Sequence, residues 1–193
     1  MSTDPKSGFT IVELLVAIII SSVLVAVTVQ TYTLFRRAVV QDESRSGLNQ
    51  NGRVALDRMT RELRLTPQLL TVFPTGPADT LPQPNGIEFQ DGYLATTDLA
   101  YLTYHRYYLN GTTLQLDIKK YVFSAQPTVL VDATSIDSSG NPPVAQVISS
   151  QSIALGVKSL VFYGYKPLQV LLTTGDNFNQ SYSLRSQITE RNL

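Results

Sequence analysis

The chain has 193 residues, 43% of them hydrophobic and 16% charged, with 15 basic side chains against 15 acidic. That length suits one globular domain plus an extra element, and the charge balance argues against a nucleic-acid binder, which carries a basic excess. With no Cys and a single His, His105, the chain excludes disulfide staples, thiol chemistry and sites built on several imidazoles.

In residues 1–8, Asp4 and Lys6 cancel. From Phe9 to Val29, 16 of 21 residues are apolar and Glu13 is the only ionisable one. As a helix this run is about 31 Å long, matching the roughly 30 Å hydrocarbon core of a bilayer. A cleaved secretory signal would be shorter, start more basic and end on a small-residue cleavage site. Here the run leads straight into Tyr32, Leu34 and Phe35. A plain single-span anchor fits the length and leaves Glu13 without a reason. A carboxylate in a span costs on the order of a few kcal/mol near the centre and less near an end. Glu13 therefore either marks a functional pairing or sits hydrated at headgroup level.

The segment Gly8-Phe9-Thr10-Ile11-Val12-Glu13-Leu14-Leu15-Val16-Ala17 closely resembles the N-terminal signature of type IV pilins and type II secretion pseudopilins. The resemblance implies that a prepilin peptidase cuts after Gly8 on the cytoplasmic face, and that the new terminal residue, Phe9, is N-methylated. It implies that Glu13 is the carboxylate through which subunits join a filament. The chemistry agrees. In an apolar filament core an unpaired carboxylate is strongly disfavoured, and the amine freed on Phe9 of a neighbouring subunit would neutralise it. Removing either partner would strand a buried charge at a cost of about 3–5 kcal/mol. Arg36 and Arg37 follow the span, so local charge alone favours the opposite orientation. The resemblance places the leader in the cytoplasm.

The helical pattern continues to Thr66, where Pro67 supplies a stop. Residues 36–66 carry seven Arg against four acids. Leu48, Ala55, Leu56, Met59 and Leu63 share one face of a 3.6-residue period; over 54–66 that stripe predicts packing against the chain's own head, and the alternative reading has residues 30–50 contact neighbouring subunits. Arg53–Asp57, Asp57–Arg61 and Arg58–Glu62 are opposite charges at i, i+4 and are expected to support the exposed face. Gly47 and Gly52, among Asn49, Gln50 and Asn51, are the expected site of a kink or fraying, because each Gly costs about 1 kcal/mol relative to Ala.

Pro67, Pro74, Pro77, Pro82 and Pro84, with Gly76 and Gly86, predict a long connecting loop. Strand patterns follow at Ile87–Gln90, Leu99–Leu109, Thr113–Phe123, Thr128–Val131, Ala145–Ile148, Val157–Tyr165, Leu168–Thr173 and Ser181–Ile188. Asn110-Gly111 is a hairpin signal, and 137–143 is a turn-rich linker. The expected fold is α+β: a long N-terminal helix packed on a mainly antiparallel β-sheet head. The expected organisation is 1–8 leader, 9–35 membrane and assembly helix, 36–66 amphipathic continuation and 67–193 extracytoplasmic head.

The helix ending at residues 55–64, the Tyr-rich strand at 101–108, the strand from Val157 and the closing 183–192 resemble minor pilins of the PilW type and J-type minor pseudopilins. The head is larger than a small major pilin needs and lacks the C-terminal Cys pair common in several of them. Both features favour a minor subunit. The partners this resemblance implies are prepilin peptidase, other major and minor pilins or pseudopilins, and inner-membrane lipid before assembly, with no nucleic acid. The expected location is the inner membrane, single-pass, and then the pilus or pseudopilus.

No nucleophile elbow, phosphate loop, zinc-protease motif or dinucleotide fingerprint occurs, so no enzyme activity, cofactor or metal is expected. His105 lies among tyrosines in a strand and is expected to be structural or at the surface. Tyr101, Tyr104, Tyr107 and Tyr108 are expected to split between core and surface rather than form a binding platform. Asp132, Asp137 and Asn141 offer oxygen ligands, but their spacing does not match an EF-hand loop. The competing expectation is a membrane-anchored extracytoplasmic binding or adhesion domain that never polymerises.

Overall fold

The computed structural model describes residues 10–76, 79, 81–82, 84–92, 102–164, 167–175 and 181–189. The fold is α+β. One 55-residue helix, α1 (Ile11–Leu65), precedes eight strands: β1 (Gly86–Gln90), β2 (Tyr104–Asn110), β3 (Thr113–Phe123), β4 (Gln126–Val131), β5 (Val144–Leu155), β6 (Val157–Tyr163), β7 (Leu168–Gly175) and β8 (Ser181–Ile188). The chain divides into two compact units, Met1–Ser44 and Arg45–Leu193.

No described residue of the first unit is buried. Every large apolar side chain from Ile11 to Val29 is exposed, and α1 is long and apolar enough to cross a membrane. Its hydroxyls do not interrupt the helix. Ser22, Thr28 and Thr31 return theirs to the carbonyls of Ile19, Leu24 and Val27.

In the second unit, Ala55, Leu56, Met59 and Leu63 are buried as their spacing predicts. Gly52 and Thr60 are buried on the same stripe. The helix is unbroken through both glycines, without the expected fraying. Their environments explain why they differ. A Cβ on Gly47 would meet nothing within 4 Å, whereas one on Gly52 would lie 2.9 Å from Thr174 Cγ2 and 3.0 Å from Leu184 Cδ1. Gly52 is a close-approach residue that lets α1 lie against β7 and β8.

Two antiparallel sheets complete this unit. In the five-stranded sheet, β1, β2, β3 and β4 follow in order and β5 also pairs with β3. Leu116 pairs with both Tyr107 and Gln151, so β2 and β5 flank β3 on opposite sides. The second sheet runs β6-β7-β8. The single core joins the helix stripe to Ile87, Phe89, Tyr107, Leu114, Leu116, Phe162, Leu168, Val170 and Leu172. β7 shows the alternation of a half-buried strand, with Leu168, Val170, Leu172 and Thr174 inward.

Strands β3 and β8 have the boundaries the sequence predicts. β2 begins only at Tyr104, and residues 99–101 of the expected strand lie outside the described residues. The hairpin forms one residue later than Asn110-Gly111 suggests. Asn110 pairs with Thr113, leaving Gly111 (φ 61°) and Thr112 as the turn, and Gly supplies the positive φ. The proline-rich loop is partly anchored. Residues 68–70 run along β1, with Gln90 N–H donating to Gln68 O and Leu70 N–H to Glu88 O, both at 2.9 Å. Phe73 is buried with its ring centroid 5.6 Å from that of Phe162.

Candidate functional site

The N-terminal end of α1 holds the one predicted functional residue that the structure describes. Gly8 and Phe9, the predicted cleavage and methylation positions, lie outside the described residues. Thr10 precedes the first helical residue and Glu13 sits in the first turn, the Thr-x-x-Glu spacing of a capping box. Thr10 Oγ1 accepts the Glu13 N–H at 3.2 Å, and Glu13 Oε2 accepts the Thr10 N–H at 3.0 Å and its hydroxyl at 3.2 Å. A carboxylate at a helix N-terminus also meets the positive end of the macrodipole. Only Oε2 is used in this way. Among the described residues Oε1 has no donor, so Glu13 caps its own helix and keeps one oxygen open to a cation. The capping spacing was legible in the sequence, but the signature drew notice to Glu13 alone.

In the head, several titratable residues are held in structural hydrogen bonds. Glu62 was expected on the exposed face of α1, yet its side chain is only 11% exposed. It turns toward β2 and accepts from three groups: Arg58 Nε at 3.0 Å, Tyr107 OH at 2.8 Å and His105 Nδ1 at 2.9 Å. A carboxylate only accepts, so Nδ1 carries the proton of that last bond. Burial pushes the Glu62 carboxyl up, and the bonds from His105, Arg58 and Tyr107 outweigh it, holding it below the ordinary glutamate range. Burial, and then Glu62 itself, push the Tyr107 phenol far up. The expected Arg58–Glu62 and Asp57–Arg61 pairs form. The Arg53–Asp57 pair does not, because Asp57 is turned to Arg61.

The opposite face of the five-stranded sheet is polar, and its carboxylates are held in the same way. Glu88 accepts from Lys119 Nζ at 2.9 Å and from the Tyr121 hydroxyl. Asp117 accepts from Ser150 Oγ at 2.6 Å. Tyr104 is buried, donating to Asp132 at 3.2 Å and accepting the Ala133 N–H at 3.0 Å; burial pushes its phenol up to about 12. Tyr104 and Tyr107 are buried and Tyr108 half-buried, while Tyr101 lies outside the described residues. Asp137 accepts N–H bonds from Ser139 and Asn141, and Asp132 from Thr134. Both carboxylates close their own turns. Among the described residues no group of three His, Cys, Asp or Glu is placed to hold a metal.

Residues 4–29 match the prokaryotic N-terminal methylation motif. No curated protein and no solved structure matches the chain. The motif is a type IV pilin-like prepilin signal. It points to a structural, pilin-like subunit handled by prepilin peptidase and assembled with other pilins, not to an enzyme family. The exposed apolar helix behind it fits a membrane-anchored subunit of that kind.

Proposed function

We propose that this chain is a minor pilin-like subunit, cut by prepilin peptidase after Gly8, N-methylated at Phe9 and incorporated into a type IV pilus or a type II secretion pseudopilus. There it primes assembly or sits near the tip. Residues 1–8 act as the leader, 9–35 as the membrane and assembly helix, 36–66 as its amphipathic continuation and 67–193 as the extracytoplasmic head. Before assembly the chain sits in the inner membrane. Its partners are the peptidase, other major and minor pilins or pseudopilins, and lipid.

The observation that carries this reading is the motif match over residues 4–29. The open Oε1 of Glu13 supports it, since the Phe9 amine of a neighbour is a cation that can reach a helix end. The minor role draws on the size of the head, which is awkward to repeat along a shaft.

Intact mass and N-terminal peptide mapping of the protein from its native membrane, with and without prepilin peptidase, test the proposal. The expected chain begins at Phe9 with one added methyl, and only when the peptidase is present. A chain still carrying 1–8, or one cut near residue 30, would sink it and leave an anchored binding domain that does not polymerise.

A further inference from the structure

The polar face of the five-stranded sheet leaves one cation outside its hydrogen bonds. Arg106 of β2 sits directly opposite Glu88 of β1 on one side and Asp117 of β3 on the other. Cross-strand pairs of opposite charge are favourable, yet Arg106 takes neither. Glu88 is held by Lys119 and Tyr121, and Asp117 by Ser150. The guanidinium lies instead over the ring of Tyr108, two residues further along β2, with Cζ 5.1 Å from the ring centroid. It makes no hydrogen bond or ion pair among the described residues. Arg53 and Arg64 also lack a described partner, but they are exposed and water satisfies them, whereas Arg106 is half-buried.

Arg106 borders a cleft of about 550 Å³ between the end of β2 and the start of β6, within the roughly 300–1,000 Å³ of small-ligand sites. Asn85 and Ser159 bring an amide and a hydroxyl to it, neither committed to a described acceptor. Pro84, Leu109 and Leu160 supply an apolar wall. Among the described residues no carboxylate lines the cleft. Lys158 also borders it, but its stem and ammonium lie over Gly175 of β7, where a Cβ would collide with them. Among the described residues this leaves Arg106 as the cation of the cleft.

We propose that this cleft binds a small organic carboxylate, its charged group on the Arg106 guanidinium and its apolar body against Pro84, Leu109 and Leu160. A guanidinium presents its N–H donors as a planar fork that matches a carboxylate through two parallel bonds. The contact with Tyr108 holds the cation through the ring's π-face and consumes no oxygen acceptor, so the fork stays available. It also positions the guanidinium before a ligand arrives, which lowers the ordering cost of binding. A partly desolvated cation without an acceptor is unfavourable, and a monoanion neutralises it one for one. A phosphate dianion would bring an excess charge that no second cation in the cleft balances. The apolar wall then separates a carboxylate with a hydrocarbon body from the simple anions of the medium. The inference concerns the head alone and does not rest on the filament reading.

Phenylglyoxal modification of the full chain in detergent, read by peptide mass mapping, follows each arginine separately. Saturating benzoate is expected to slow modification of Arg106 at least fivefold and to leave Arg53 and Arg64 unchanged. Benzamide, which has the shape without the charge, is expected to protect nothing, and phenyl phosphate to protect only at higher concentration than benzoate. In calorimetric titrations with benzoate, Arg106→Lys, which keeps the charge and loses the fork, is expected to weaken binding at least tenfold, and Tyr108→Leu at least threefold. Modification of Arg106 at the same rate with and without benzoate, or equal protection of all three arginines, would overturn the site. Wild-type affinity in Arg106→Lys would overturn recognition by the fork, and tighter protection by phenyl phosphate would overturn the carboxylate. An Arg106 shielded in washed filaments free of small molecules, and reactive once they are dissociated, would make a neighbouring protein's carboxylate the occupant and overturn the small ligand. The protection measurement uses the wild-type chain, so it decides the matter even where a variant fails to fold.

Discussion

Protonating a carboxylate removes the charge that strengthens every hydrogen bond it accepts, and Glu62 accepts three, from Arg58, His105 and Tyr107. Because its folded carboxyl lies below the ordinary glutamate range, its contribution to stability is complete above the unfolded value, about pH 4.3. It is lost as the pH falls through the lower folded value. Glu62→Gln keeps the shape but removes the charge, and its amide NH2 must face at least one donor. Its expected cost is about 1–3 kcal/mol at neutral pH, read as a lower melting temperature of the detergent-solubilised chain. The gap between variant and wild type should narrow as the pH drops below 4. A gap that stays constant down to pH 2 would mean that the carboxylate charge contributes nothing to the fold. Nothing in the sequence marked Glu62 apart from its neighbours. The pair with Arg58 was legible as i, i+4 spacing, but that rule places both residues on a helix surface without saying which surface the sheet covers.

At the scale of the elements, periodicity was legible where burial enforces it and silent where it does not. The helix stripe, β3 and β8 each carry an apolar face against the core, and their patterns located them well. β5 was expected only over Ala145–Ile148, because Ser149–Ser152 shows no alternation. It extends to Leu155 because backbone pairing with β3 holds it, and a strand exposed on both faces needs no apolar period. The two helix glycines were misjudged for a related reason. Propensity is a property of the helix alone, and it assigned Gly47 and Gly52 the same weakness. Their surroundings separate them. Gly47→Ala is expected to stabilise by about 1 kcal/mol, the helix-propensity difference in open space. Gly52→Ala gains the same amount and loses about 1–3 kcal/mol from crowding against Thr174, Leu184 and Leu172. The melting temperatures should therefore order as Gly47→Ala, wild type, Gly52→Ala. A Gly52→Ala chain that melts above the wild type would mean that the helix and β7–β8 do not approach closely at this point.

For the molecule as a whole, the two units divide the work. Among the described residues, Arg45–Leu193 encloses an apolar core, while the apolar side chains from Ile11 to Val40 are exposed. Glu13 stands at the end of that exposed helix with two separable properties. Its shape and Oε2 close the capping box with Thr10, and in the filament proposed above its charge would offer Oε1 to a neighbour's amine. Glutamine serves a capping box as well as glutamate, so Glu13→Gln removes the second property and keeps the first. Thr10→Ala does the converse, losing a cap worth about 1 kcal/mol and keeping the carboxylate. If inter-subunit charge neutralisation is what Glu13 supplies, Glu13→Gln should insert in the membrane and lose its leader normally. It should nevertheless fail to enter filaments as completely as Glu13→Ala, since the partner's amine is then buried without a counter-charge at about 3–5 kcal/mol. Thr10→Ala should still incorporate. Quantifying each variant in sheared filaments against the membrane fraction decides the matter. Incorporation of Glu13→Gln at the wild-type level would reduce Glu13 to a helix cap.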